Sequence, residues 1–162
     1  MIVNGSLLSV VGRVSRNHLD IILPIYKSLN YAVDCIESFL KYSDYPYHIL
    51  IIDDGNESYV VKKLNQYVNR CIQIEMFRNE ANLGYVKSAS KGLMESTGRY
   101  VILLNTDTFV APGWLSRMVK CAEADPKIAM VNPISNMAAD LSILIPPGLN
   151  IFILFEDSLP YS

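Results

Sequence analysis

Short apolar runs alternate with segments of helical periodicity between residues 19 and 131. Leu19-Asp20-Ile21-Ile22-Leu23 is nearly continuous and stops at Pro24, which predicts a buried strand. Asn30 is placed to cap a helix over residues 31–42, where Val33, Ile36, Phe39 and Leu40 share a face. His48 to Ile52 predicts a second buried strand, running into Asp53-Asp54-Gly55. Val60, Val61, Leu64 and Val68 mark a second helix, and Cys71 to Phe77 a third strand. Residues 78–84 are polar and end in Gly84, so they read as a loop. Val86, Ala89 and Leu93 predict a third helix ending near Gly98, and Tyr100 to Leu104 a fourth buried strand running into Asn105-Thr106-Asp107. Pro112 opens a helix in which Trp114, Leu115, Met118, Val119 and Ala122 form a core face. Ile128 to Val131 reads as a fifth strand, and Ile151 to Phe155 as one more short apolar run.

Strands apolar on both faces and separated by helices predict an α/β fold, a parallel-dominated sheet covered on both sides. The expected strand order is 3-2-1-4, with later strands beyond. Ligands of open parallel sheets bind outside the carboxyl ends of the strands. Three polar clusters fall at such ends: Pro24-Ile25-Tyr26, Asp53-Asp54-Gly55 and Asn105-Thr106-Asp107. Their convergence on one edge is a stronger signal than any one of them.

Composition narrows the functional classes. The chain has 162 residues, enough for one core. A net charge of −2, from 14 basic and 16 acidic side chains, supplies no general field for nucleic acid or acidic lipid. The ten tyrosines are scattered and form no stacking platform for single strands. Three distant cysteines, Cys35, Cys71 and Cys121, favour reduced, mostly buried thiols in a cytoplasmic protein over disulfides or a structural zinc site. His18 and His48 lack partners at metal spacing along the chain and read as structural. No run reaches the ~18 apolar residues of a membrane span, and the start of the chain does not read as a signal peptide.

The first strand–helix turn lacks the glycines of a dinucleotide-binding fingerprint, and no phosphate-binding G-x-x-x-x-G-K-[ST] loop occurs. Carboxylates crowd the ligand edge instead. Asp53, Asp54 and Asp107 alone would repel a phosphate, by about 4 kcal/mol per close pair at an effective dielectric of ~20. A divalent cation reverses that sign by binding carboxylate and phosphate oxygens together. The residues therefore suggest a metal-bound diphosphate leaving group. Phosphoacceptor aspartates of receiver domains also sit at strand ends, and Asp53-Asp54 alone fits either reading.

A wider set of motifs separates the two. Ile21-Ile22-Leu23-Pro24-Ile25-Tyr26, Ile51-Ile52-Asp53-Asp54-Gly55, Asn79 with Asn82-Leu83-Gly84-Tyr85, Gly98 through Thr108, and Pro112-Gly113-Trp114-Leu115 occur in that order. Together they resemble the inverting glycosyltransferases of family 2, which have the GT-A fold. The resemblance covers residues 19–136, and a receiver domain would explain neither the Asn-Leu-Gly loop nor the Pro-Gly-Trp-Leu helix start.

The resemblance implies a nucleotide-sugar donor, most often UDP-linked, and a saccharide or other hydroxyl acceptor. Asn105-Thr106-Asp107 stands where the family has Asp-x-Asp. Asp107 matches the last acid, which holds Mn²⁺ or Mg²⁺ against the diphosphate, while Asn105 replaces the first and removes one charge. Thr106 would lie near the ribose. Asp54 matches the acid that hydrogen-bonds the base, and Asp53 is its neighbour on the opposite strand face. Pro24, Ile25 and Tyr26 would wall the nucleotide pocket, and Asn82, Leu83, Gly84 and Lys87 would lie beside the diphosphate or sugar. Lys91 precedes Gly92 where relatives often have Asn. Blander roles compete: Asp107 as a turn cap, Asp54 in an Asx-turn with Gly55, Lys87 on a solvated helix face, Tyr26 in packing.

Family 2 enzymes carry the acceptor site and the general base in a second half. Here the chain reads as a lead-in (residues 1–18), a nucleotide-sugar-binding core (19–136) and the start of a truncated acceptor-side region (137–162). Glu156-Asp157 comes too early to be the family's Glu-Asp pair, so the base is expected to be absent. The readings left open are a transferase or its donor-binding half, a binding module that cannot transfer, and a partner-dependent piece. The last would dock residues 141–155 on a missing half; independently of these readings, a homo-oligomer and a membrane-associated rather than purely cytoplasmic setting stay open.

Overall fold

A computed structural model describes residues 18–131 and the backbone of residues 153–156. The lead-in before His18, the region after Val131 apart from that short strand, Asp157, and the apolar surface expected near 141–155 lie outside the described residues. The elements are β1 (Leu19–Ile25), α1 (Leu29–Tyr42), β2 (Tyr47–Asp53), α2 (Ser58–Arg70), β3 (Ile74–Arg78), α3 (Tyr85–Glu95), β4 (Tyr100–Leu103), α4 (Trp114–Ala122), β5 (Met130–Val131) and β6 (Ile153–Glu156). The sheet order is β3-β2-β1-β4-β6-β5, so the expected 3-2-1-4 core is present with two strands beyond it. β3, β2, β1 and β4 are mutually parallel, whereas β6 runs antiparallel to β4 and β5.

Every residue of β1 is buried, which is why its sequence does not alternate. Its odd positions, Leu19, Ile21, Leu23 and Ile25, join Ile49 and Ile51 of β2, Tyr100 and Ile102 of β4 and the apolar faces of α1, α2 and α4 in the main core. Its even position Ile22 joins Leu50, Ile52 and Val101 on the other face. Helix α3 covers that face, and it approaches so closely that a Cβ on Gly92 would come within 2.3 Å of Ile22 Cγ2. Trp114 is core as expected, stacked on Phe39 with ring centroids 5.6 Å apart.

Several boundaries differ from the sequence reading: α4 starts at Trp114 after an N-cap at Gly113 rather than at Pro112, and β5 at Met130 rather than Ile128. β1 does not stop at Pro24 but runs through it to Ile25. Ile22 O accepts from Leu104 N on the β4 side and Ile25 O accepts from Asp54 N on the β2 side. Strand alternation therefore turns Pro24 toward β4, whose pairing with β1 ends at Ile22, so the missing N–H costs no ladder bond. Helix α1 begins at Leu29 with Ser28 at its N-cap, not Asn30, and without a side-chain capping bond. β3 starts at Ile74 because residues 71–74 close a turn, Ile74 N donating to Cys71 O. Of the thiols, Cys35 is buried, Cys71 half-buried and Cys121 exposed, so "mostly buried" holds for one of the three.

Candidate functional site

Because β1, β2 and β4 are parallel, Tyr26, Asp54 and Asn105–Asp107 all follow strands that end on the same edge of the sheet. A cleft of about 250 Å³ opens there, lined by Pro24, Ile25, Tyr26, Asp54, Asn82, Gly84 and Tyr85. Six of the sequence-derived candidates thus meet in one place.

Asp54 is the organising group. It is 2% exposed, yet both carboxylate oxygens are engaged. Oδ1 accepts from Asn79 Nδ2 and from Leu83 N, each at 2.8 Å, and Oδ2 accepts from Gly84 N at 2.9 Å. Burial alone would push this carboxyl up. The hydrogen bonds from Leu83 N–H, Asn79, Ser88 and Gly84 N–H outweigh it and hold the group below the usual aspartate range. The amides of Leu83 and Gly84 therefore face Asp54, and the loop is anchored rather than left as an open cradle for phosphate. Gly84 N also lies 2.9 Å from Asn82 Oδ1, which sets the turn into α3. Gly55, at φ +73°, lets this loop pass: a Cβ there would sit 2.5 Å from Ala81 C.

Tyr26 forms the outer wall and is 43% exposed. Its hydroxyl is held below the ordinary tyrosine range, chiefly by a side-chain hydrogen bond with Asn82 and next by the charge of Lys27. The turn behind it carries two non-glycine residues at positive φ, Lys27 (59°) and Ser28 (29°). Such strain persists only where the surroundings hold it. Here Lys27 N donates to Asn56 Oδ1 at 2.5 Å, while Asn56 Nδ2 donates to Ile25 O at 2.7 Å.

Asp53 does not join the cleft. It is fully buried, with Oδ1 accepting from Asn56 N at 3.0 Å and Asn56 Nδ2 at 2.6 Å, and Oδ2 lying 3.5 Å from Arg78 Nε. It fastens the end of β2 to the β1–α1 turn through Asn56. Lys87 is exposed on α3 and is not among the cleft-lining residues. Lys91 has a structural part, donating to Arg78 O at 2.8 Å and to Asn79 Oδ1 at 3.0 Å.

Asn105 and Asp107 are exposed and Thr106 is half-buried, outside the cleft but on its edge of the sheet. Helix α1 holds their loop at two points. Cys35 Sγ donates to Asn105 O at 3.5 Å, and Val110 N donates to Ser38 Oγ at 3.4 Å. Burial pushes the Cys35 thiol up to about 12, so it remains a protonated donor.

Sequence reasoning missed Asn56 and Lys27, whose importance depends on a turn conformation, and it gave no sign that His18 and His48 meet at Asp20. In the register of β1 on β2, Asp20 lies opposite His48, and His18 precedes Asp20 by two residues on the same face. His18, Asp20 and His48 consequently bring one potential ligand atom each to within 4.8 Å of one another. This cluster lies at the amino-terminal edge of the sheet, opposite the cleft.

The family model of glycosyl transferase family 2 matches residues 20–143. The chain belongs to glycosyl transferase family 2. Among relatives, YwdF of Bacillus subtilis, an uncharacterized glycosyltransferase, is 29% identical over 103 residues, covering 63% of this chain and 37% of YwdF. Among solved structures, a Pyrobaculum calidifontis mannosyltransferase in complex with GDP-Man and Mn²⁺ superposes with a TM-score of 0.69 at 15% identity, covering 85% of this chain and 44% of that one. Staphylococcus aureus TarS in complex with UDP-GlcNAc superposes at 0.59 with 20% identity, covering 65% of this chain and 31% of that one. The expected GT-A architecture is therefore shared with these solved structures, and the chain spans less than half the length of each of these relatives. Among the described residues, no helix is long and apolar enough to cross a membrane.

Proposed function

We propose that this family 2 domain binds a nucleotide diphosphate sugar, with UDP as the nucleotide, and serves as the donor half of an inverting, metal-dependent glycosyltransferase. The observation that carries the reading is the cleft in which Asp54, Tyr26 and Asn82 converge at the carboxyl edge of the parallel sheet. Pro24, Ile25 and Tyr26 supply an apolar wall for a base. The Asp54 carboxylate, kept ionised by its protein donors, has lone-pair capacity left to accept from a base N–H. Asn82 is held at the mouth beside Gly84, and the first-turn amides of α3, beyond the Leu83 and Gly84 amides already bound by Asp54, would be available to a diphosphate because a helix gives them no acceptor.

The donor chemistry at the end of β4 suits Mn²⁺ or Mg²⁺. Asp107 is an exposed carboxylate on a loop tied to α1, and hard divalent cations combine one or two such oxygens with phosphate oxygens and waters. Such an ion, held by Asp107 with Thr106 and Asn105 nearby, would neutralise charge on a departing diphosphate. Asn105 contributes a neutral oxygen where a second carboxylate would add charge, so the site holds the ion less tightly than a two-acid pair. Deprotonation of an acceptor hydroxyl falls to a base outside the described residues. The donor-site core at 19–136, the acceptor-side region at 137–162, the saccharide or other hydroxyl acceptor, and a cytoplasmic or membrane-associated setting belong to the same proposal.

Calorimetric titration with UDP, GDP and ADP in Mn²⁺ tests the reading. UDP is expected to bind most tightly, and Asp54→Asn to weaken it by about 1.5–3 kcal/mol, the worth of a charged hydrogen bond. Equal binding of all three nucleotides, unchanged in Asp54→Asn, would remove the base-site assignment.

A further inference from the structure

We propose that His18, Asp20 and His48 form a second metal site, for one divalent transition-metal ion of the zinc class, at the edge of the sheet opposite the donor cleft. The three residues reach one spot by strand geometry. Asp20 and His48 are register partners on adjacent parallel strands, and His18 lies two residues upstream of Asp20, so all three share one face. His18 Nε2 lies 3.3 Å and His48 Nδ1 3.7 Å from the same oxygen, Asp20 Oδ1. Bonds of about 2.0–2.1 Å in a tetrahedral zinc site place ligand atoms about 3.3 Å apart. Two of the three edges are close to that value. The third, between the two imidazoles, lies within 4.8 Å, and closing it would require the half-exposed His48 ring to turn inward.

The burial pattern favours an ion over a plain hydrogen-bonded cluster. The Asp20 side chain is 2% exposed, and its two oxygens are treated differently. Oδ2 accepts from Ser96 Oγ, Thr97 N and Gly98 N, each at 2.7 Å. Oδ1 accepts no hydrogen bond, although it is buried and aimed between two imidazoles. A buried carboxylate oxygen without such a partner is costly. A cation bound to Oδ1 removes that cost, and the two imidazole rings, with centroids 4.5 Å apart, are near enough to serve as its further ligands. The three bonds to Oδ2 orient the carboxylate as outer-shell partners orient metal ligands. The His48 side chain, 48% exposed, provides the way in, and water completes the coordination. Two imidazoles and one carboxylate suit Zn²⁺ or Co²⁺ better than Mg²⁺.

This ion would be distinct from the one proposed at Asp107. Seven residues of β1, roughly 20 Å of strand, separate the two edges. Its effect would be to staple β1 to β2 and, through Asp20, to the turn before β4.

The test titrates the metal-free full chain with Co²⁺, follows the visible absorption of the bound ion, and displaces it with Zn²⁺. One Co²⁺ per chain is expected, with Zn²⁺ raising the thermal midpoint. His48→Ala should weaken binding by at least about 100-fold, beyond the loss of a merely supporting partner, and abolish the Zn²⁺-dependent rise. Asp107→Ala should bind Co²⁺ as the native chain does. Should His48→Ala fold poorly, His48→Gln gives the same comparison. No stoichiometric Co²⁺ binding, or equal binding in the His48 variant, would overturn the proposal.

Discussion

The side-chain amide of Asn79 donates to Asp54 Oδ1 at 2.8 Å while its oxygen accepts from Lys91 Nζ at 3.0 Å. This chain fixes the amide's orientation and presents its N–H to the carboxylate. Asn79→Ala should leave a buried oxygen short of one donor and cost about 1–3 kcal/mol in urea unfolding. Lys91→Met removes only the outer link and should cost less. Both variants should weaken UDP binding in the same rank order, because both loosen Asp54, the proposed partner of the base. Identical stability of Asn79→Ala and the native chain would show that the amide plays no such part.

The low-lying carboxyl of Asp54 sets a pH dependence. Its folded-state pKa lies below its unfolded value of 3.8, so the unfolded chain binds protons first as pH falls. The stability it contributes is fully present above that value and is lost as pH drops through the folded one. Urea midpoints measured from pH 6 down to pH 3 should fall in the native chain and fall less steeply in Asp54→Asn. Parallel slopes would contradict the assignment.

Gly55 and Gly92 test how closely the site is built. Gly55→Ala meets both a positive φ and a backbone atom at 2.5 Å, so the Ala81–Asn82 segment must move. A loss of about 1–3 kcal/mol in stability is expected, together with weaker nucleotide binding. Gly92→Ala overpacks α3 against Ile22, neither of which lines the cleft at the carboxyl edge. It should cost about 1–3 kcal/mol of stability while leaving nucleotide affinity within about twofold. A variant pair that altered stability and binding in the same proportion would show that the loop is not specifically placed by Gly55.

The sheet was legible because its strands are apolar on both faces, a pattern that few architectures besides a covered parallel sheet produce, and the expected 3-2-1-4 order is the one observed for β3, β2, β1 and β4. The loops were harder to read. Asp53 and Asp54 are adjacent and chemically identical, yet one is locked inside by Asn56 and the other faces the cleft, a choice made by strand alternation and by an asparagine three residues on. Asp20, His18 and His48 carried no visible signal, because their proximity depends on the register between two strands joined through a helix. Pro24 misled because the cost of its missing N–H depends on where the neighbouring strand stops.

The proposed function turns on Asp107 seating the cation through which a diphosphate is held beside Asp54. Paired calorimetric titrations of UDP into the native chain and Asp107→Ala, each in Mn²⁺ and in EDTA, test it most directly. Native binding is predicted to need Mn²⁺ and to weaken at least about tenfold in Asp107→Ala, a difference of about 1.4 kcal/mol. UDP binding of equal strength in EDTA, or undiminished in Asp107→Ala, would rule out a cation seat at Asp107.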